Sequence, residues 1–442
     1  MTQPLLLTWY GDDLTGSTDV MEALALRGVD AVLFLDIPSD EQRARFPGVR
    51  ALGIAGTSRS ETPEWMDEHL PPIFAAMAAE SAQISHYKVC STFDSAPHVG
   101  SIGRALELGR AAFGDQPVPV LVGAPQLKRF TAFGTLFAAY RGEIYRIDRH
   151  PVMSRHPVTP MDEADLVRHL AKQTQLSITL LDHLTLTGAD AAAATDAARD
   201  AGPGAILIDV LDLPGQAAAG RALGRLAAAG SRFVVGSSGV EYALAHAWTA
   251  EGIIPGSASF PPLEAVDRLA VVSGSCSPTT ARQIAYAQDH GFDAIAMDPR
   301  LLVQGDEAGY AAVRDRAARA LEAGGSPIVY TALGPDSDLG AEIAEAPGAR
   351  HAIGRGLGRL QADLVRRAGL SRAVIAGGDT SSHALRQLSV FALTARYPIP
   401  DSPGSPLSTA FSDDAAFDGL QIALKGGQVG GDDYFVRIRD GG

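Results

Sequence analysis

The stretch Tyr10-Gly11-Asp12-Asp13-Leu14-Thr15-Gly16-Ser17-Thr18-Asp19 constrains this chain more than any other. An apolar run over residues 4–9 precedes it, a helix-like segment over 17–27 closed by Gly28 overlaps its end, and a second strand-like run covers 29–35. Strand, turn, helix and strand in that order is the building unit of a parallel α/β sheet. In open sheets of that kind, ligands bind outside the carboxyl ends of the strands, where such turns sit. This turn carries two adjacent carboxylates, hydroxyl side chains and two glycines. Glycine permits close backbone approach, and the N-terminus of the following helix offers N–H groups to an anion. Capping a helix would need one such polar residue, not two consecutive aspartates ahead of Thr-Gly-Ser-Thr.

The same alternation continues. Short apolar runs at 51–56, 84–90, 118–122, 176–181, 205–210 and 233–235 are separated by polar turns and helical stretches such as 63–81. A Gly-, Pro- and Ser-rich stretch, EGIIPGSASFPP over 251–262, reads as a linker. A second series follows it, with strands at 269–273, near Ala294 and Ile328, at 373–376 and at 420–425, and helices at 279–290 and 357–368. Residues 399–413 are Pro- and Ser-rich and read as an irregular loop. At 442 residues the chain exceeds one typical core. The expectation is an α/β protein of two domains, 1–255 and 256–442, each a mainly parallel sheet with flanking helices.

A formal net charge of −14 argues against nucleic-acid or anionic-membrane partners, though a locally basic site could still take a small anion. No apolar segment is long enough to span a bilayer, and Met1-Thr-Gln-Pro lacks the basic start of a signal peptide. Cys90 and Cys276 fall in different expected domains without metal or Cys-x-x-Cys spacing. A cytoplasmic protein with reduced thiols is the expectation. Oligomeric state stays open, a homo-oligomer included.

Several stretches carry candidate chemistry. In Lys88-Val89-Cys90-Ser91-Thr92-Phe93-Asp94-Ser95 a strand delivers Lys88, and the turn presents three hydroxyls and a carboxylate. Those types supply donors and mixed partners for a hydroxylated acid. Arg59, in the turn after 51–56, has the fork that suits a carboxylate. His150 and His156 lie in a proline-bounded basic loop whose spacing matches no compact zinc pattern. Gly236-Ser237-Ser238-Gly239 is either a cleft lining or a tight capped turn. In the second half, Ser273-Gly274-Ser275-Cys276-Ser277, Gly377-Gly378-Asp379-Thr380-Ser381 and Lys425-Gly426-Gly427 each follow a strand and offer N–H groups or hydroxyls to phosphate. No Walker A pattern or protein-kinase signature set occurs. Gly354-Arg-Gly-Leu-Gly358 misses the dinucleotide spacing and reads as a glycine-marked helix start.

Asp12-Asp13-Leu14-Thr15-Gly16, followed much later by Gly377-Gly378-Asp379-Thr380-Ser381, resembles the four-carbon acid sugar kinase family over nearly the whole chain. The resemblance implies an N-terminal acid-sugar-binding domain, a C-terminal nucleotide-binding domain, an active site in the interdomain cleft, and ATP-dependent phosphorylation of a small acid sugar. Cys90-Ser-Thr-Phe-Asp-Ser95 resembles the 3-oxo-tetronate kinase branch. Residues 95–101 depart from the Gly-Asn-Ile-Gly run expected there, so branched relatives such as 3-oxo-isoapionate stay open. Expected substrate ligands are Asp12, Asp13, Thr15, Arg59, Lys88, Ser91, Thr92, Asp94 and Ser95. Asp13 is first candidate for the base, with Asp12 and Asp94 behind it. Ser273, Gly274, Ser275, Gly377, Gly378, Asp379, Thr380, Ser381, Gly426 and Gly427 are expected at the nucleotide, with Mg²⁺ bridging its phosphates through ligands the sequence does not identify. Two other classes remain: a non-catalytic two-domain sugar-acid sensor, and an NAD-dependent dehydrogenase, disfavoured by the missing fingerprint.

Overall fold

The computed structural model describes residues 4–334 and 348–441, apart from the side chains of Arg350 and Asp379. The chain divides into two compact units, Met1–Ala258 and Ser259–Gly442.

In the first unit, strands β1 (Leu7–Gly11), β2 (Ala31–Phe34), β3 (Ala51–Ala55), β4 (Ile84–Lys88) and β5 (Val118–Leu121) belong to one sheet. Three strands, β6 (Arg129–Ala132), β7 (Thr135–Tyr140) and β8 (Glu143–Arg146), form a separate antiparallel sheet. β9 (Ile178–Leu181), β10 (Ala205–Ile208) and β11 (Phe233–Gly236) then return to the first sheet. Its order is β2-β3-β1-β4-β11-β5-β10-β9, every pair parallel. All five residues of β1 are buried, as expected of a central strand in a covered parallel sheet, and its one hydroxyl-bearing aliphatic residue, Thr8, pairs with Ser85 Oγ at 2.7 Å. The chain passes from β1 out to β2, back to β3, and across β1 to β4. That reversal makes the carboxyl end of β1 a topological switch point, where a crevice opens between diverging connections. The turns after β1, β3 and β4 lie side by side there, since Gly11 pairs with both Ala55 and Lys88.

In the second unit, β12 (Ala270–Ser273), β13 (Phe292–Ala296), β14 (Ser326–Tyr330), β15 (Arg372–Ala376), β16 (Val390–Tyr397), β17 (Leu407–Ser412) and β18 (Gln421–Lys425) form a sheet ordered β13-β14-β12-β15-β18-β17-β16. The five strands from β13 to β18 are parallel; β17 and β16 run antiparallel at the end. Its core includes Leu269, Val271, Ile284, Ile328, Val374 and Phe435. Ser273, Ala376 and Lys425 stand in one row across three neighbouring strands, so the three glycine-rich turns leave the sheet at one edge.

Several expectations need correction. The first helix runs Leu14–Ala25 and not 17–27, because Asp13 already caps it. Residues 407–412 are a strand rather than loop; the prolines ahead of them hid an alternation whose inner positions are buried. The β6–β8 sheet was missed altogether. Its two hairpins turn on Phe133-Gly134 and Arg141-Gly142, all four at positive φ, the tight-turn geometry that matches strand twist. Gly354 to Gly358 lie inside the helix Ala349–Ala368, not at its start. A Cβ on Gly358 would stand 2.5 Å from Ala384 Cα, and one on Gly354 2.8 Å from His383 Cβ. Those glycines let this helix approach the one at Gly378–Gln387.

Candidate active site

The first site grows from the turn after β1. Asp13 is in extended conformation and its Oδ1 accepts from Gly16 N at 2.6 Å, capping the helix. Its Oδ2 accepts from the Thr15 hydroxyl at 2.8 Å and from Arg59 Nη1 at 2.6 Å. Arg59 also holds Asp12 through Nη2 at 2.6 Å and Nε at 3.1 Å. One guanidinium therefore clamps both aspartates, and the Arg59 backbone N–H donates to Asp12 O at 3.1 Å. Lys88, buried at the end of β4, stands 3.8 Å from Asp19 on the capped helix. A Cβ on Gly16 would meet Asp13 Oδ1 at 2.6 Å and Lys88 Nζ at 3.0 Å. Only glycine lets the turn pass between them.

The carboxyls are not equivalent. Burial raises the Asp12 carboxyl above its usual range despite Arg59. Burial acts on Asp13 in the same direction, but Arg59 and Lys88 together hold it below that range. Asp19 is raised by burial. Asp13 is also the more accessible of the adjacent pair, 28% exposed against 7% for Asp12.

The structure brings Asp12, Asp13, Thr15, Arg59 and Lys88 into one cluster. It places Asp94 and its neighbours differently. Asp94 accepts from Thr92 at 2.5 Å and from Thr159 at 3.0 Å. Ser95 is buried, bonded to His169 Nε2 and Gln173 Nε2 at 2.9 Å each. Phe93, between Thr92 and Asp94, adopts positive φ. This turn is tied to the loop after β8, where His156 Nδ1 accepts from Thr159 N at 3.1 Å and His150 Nδ1 from Val152 N and Met153 N at 3.2 Å each. Both histidines serve as turn caps. Ser91 is half-buried beside Cys90, whose sulfur lies 2.9 Å from Thr92 Oγ1. Ser237 is a tight capped turn, its hydroxyl donating to Val122 O at 2.6 Å.

Sequence reasoning missed Arg129 and assigned no site role to Asp19. Arg129 opens β6 and is bridged to Ala124, just beyond the end of β5. Among the described residues its Nη1 donates to the Leu127 and Lys128 carbonyls, and its buried Nε has no hydrogen-bond partner. Burial lowers its pKa. No residue pattern around Gln126-Leu-Lys-Arg-Phe130 announces this.

In the second unit the three expected turns meet. Gly274 N donates to Ala376 O at 3.0 Å and Gly377 N to Lys425 O at 2.8 Å. A Cβ on Gly274 would stand 2.2 Å from Thr380 Oγ1, and one on Gly427 3.3 Å from Ser275 Oγ. Gly377 has φ +117°, a conformation that favours glycine. Ser381 Oγ donates to Gly377 O at 2.7 Å, closing the helix start, while an added Cβ on Gly378 would meet open space. Ser273 is buried at the end of β12. The Asp379 side chain lies outside the described part of the structure. Sequence reasoning passed over Lys425 itself, although a lysine directly before a glycine pair at a strand end is a visible signal. Among the described residues no group of three or more His, Cys, Asp or Glu side chains could hold a metal alone, and no helix is long and apolar enough to cross a membrane.

A two-unit α/β chain with a polar cluster at one strand edge and a glycine-lined edge in the other unit has the layout of a small-molecule kinase. Residues 7–244 match the sugar-binding N-terminal domain and residues 270–435 the nucleotide-binding C-terminal domain. The chain belongs to the four-carbon acid sugar kinase family. It is 48% identical to a 3-oxo-isoapionate kinase of Paraburkholderia graminis, over 99% of this chain and 94% of that one. It is 30% identical to a 3-oxo-tetronate kinase of Methylobacterium radiotolerans, over 99% of each. Crystal structures of a Salmonella typhimurium protein (TM-score 0.79, 25% identity) and a Haemophilus influenzae protein (TM-score 0.72, 23% identity) share the fold over 98% of each chain.

Proposed function

We propose that this chain transfers the γ-phosphoryl group of ATP to a hydroxyl of a 3-oxo sugar acid, with 3-oxo-isoapionate as first candidate and 3-oxo-tetronate as second. The observation that carries the reading is the Asp12–Asp13–Arg59–Lys88 cluster at the switch point. The greater likeness to the 3-oxo-isoapionate kinase orders the substrates.

Asp13 is the acceptor for the substrate hydroxyl's proton. It is the exposed member of the pair, and Arg59 and Lys88 keep it ionised. Phosphoryl transfer through a loose transition state asks more of position than of base strength, so a low pKa is no handicap. Asp12 holds the fork of Arg59 from behind and thereby fixes Asp13. Arg59 is then unavailable as the carboxylate clamp, because two aspartates already neutralise it. Three carboxylates (Asp12, Asp13, Asp19) face two cations (Arg59, Lys88) in this cluster. The substrate's carboxylate falls to Arg129, which has no acidic partner among the described residues. Asp94, Thr92 and Ser95 shape the neighbouring turn.

The glycine turns of the second unit receive the phosphates through backbone N–H groups and the Thr380 hydroxyl, and they fit an anion because no carboxylate projects from their described side chains. Mg²⁺, held through the phosphates and one or two carboxylates, would supply charge neutralisation on the transferred group. A cytoplasmic setting accords with such metabolism. A coupled ADP-release screen over 3-oxo acids and their reduced forms tests the reading: activity is expected on a 3-oxo acid. Acid-sugar binding with no nucleotide binding would replace it with the sensor.

A further inference from the structure

Lys425 closes β18 and is fully buried. Its ammonium group donates to Gly426 O at 2.9 Å, Thr280 Oγ1 at 3.0 Å and Gly427 O at 3.3 Å, which uses its three protons on neutral acceptors. The Tyr434 ring lies 5.9 Å away, and no charged side chain among the described residues acts on the lysine. A buried cation without a counter-ion is costly, and burial alone pushes this amine down to about 8. Such an arrangement calls for an anion from outside the chain.

The backbone says where that anion sits. No described peptide is cis, and in a trans peptide the C=O and the following N–H point in opposite directions. Drawing the Gly426 and Gly427 carbonyls onto Nζ therefore turns the N–H groups of Gly427 and Gln428 away from it. Thr280 Oγ1 reinforces this by donating to Gly427 O at 3.2 Å. Two successive N–H groups facing outward from a glycine turn form an anion-binding nest, here backed by a positive charge.

We propose that Lys425 is the positioning residue of the nucleotide's phosphate cradle: it sets the Gly426-Gly427 turn with its N–H groups outward and places an unneutralised positive charge behind them. The inference rests on the nucleotide assignment above, and deepens it. The lysine acts through the turn and does not touch the phosphate.

The test compares ADP with adenosine. In Lys425→Met, ADP affinity measured by calorimetry should fall at least tenfold, while adenosine affinity stays within about twofold, because only the phosphates meet the cradle. Equal loss of both ligands would mean a merely structural role, and unchanged ADP affinity would overturn the proposal outright. Should the variant not fold, the wild type decides. ADP binding at pH 8.5, in buffers of differing ionisation enthalpy, should take up protons as the nearby phosphate recharges the lysine, and absence of uptake would overturn the proposal. Binding of neither ADP nor adenosine by the wild type would remove the nucleotide assignment itself.

Discussion

Replacing Asp13 by asparagine separates capping from chemistry. The cap survives, because an amide oxygen accepts from Gly16 N as well as a carboxylate does, and asparagine ranks with aspartate at that position. What is lost is the charge-assisted bond to Arg59 Nη1, where an amide N–H₂ now opposes a guanidinium N–H. The two side chains are 28% and 27% exposed, so water softens the loss, and about 1–2 kcal/mol of stability is the expected cost. The turnover effect is larger. Removing a positioned proton acceptor costs on the order of 10²- to 10⁴-fold in kcat. Nucleotide affinity should stay unchanged, since the residue belongs to the other unit. The assay is coupled ADP release with a 3-oxo acid, beside a thermal melt, with Asp12→Asn and Asp94→Asn as comparators. Asp12→Asn should free one side of Arg59 and lower kcat by misplacing Asp13; Asp94→Asn should act on its turn and chiefly raise KM. A folded Asp13→Asn with near-normal turnover would refute the assignment and leave Asp13 as a cap alone.

Three further outcomes are expected. Arg129→Gln should raise KM about tenfold or more for the acid substrate and leave KM for its uncharged amide unchanged; equal effects on both would exclude carboxylate recognition. Gly378→Val should weaken ADP binding at least tenfold with little change in Tm, because its side chain enters open space at the proposed phosphate edge; retained ADP affinity would move the nucleotide elsewhere. His169, buried and pushed down to about 4, is neutral in the folded chain, whereas an ordinary histidine protonates near 6.5. The unfolded chain therefore binds the extra proton, and stability present above pH 6.5 should fall by about 3 kcal/mol as the pH drops toward 4. Urea titrations across that range check it, and His169→Gln should flatten the slope.

The sequence alone determined the strand–turn–helix rhythm, because buried parallel strands must be apolar and turns must carry Gly, Ser and Asp. It also marked the turn after β1 and the three glycine turns of the second unit, since those residues are legible as local chemistry wherever the chain takes them. Tertiary structure decided how they combine. That Arg59 would clamp Asp12 and Asp13, and so be spent as a carboxylate fork, depends on β3 lying beside β1. That Ser95 would be bonded to His169 and Gln173 depends on the packing of a helix and the turn that follows it, more than seventy residues away. Arg129 and Lys425 gain their meaning from having no acidic partner among the described residues, and a linear sequence does not record which charges end up paired. Local pattern sets which residues can do chemistry; the register and order of strands set which of them remain free to do it.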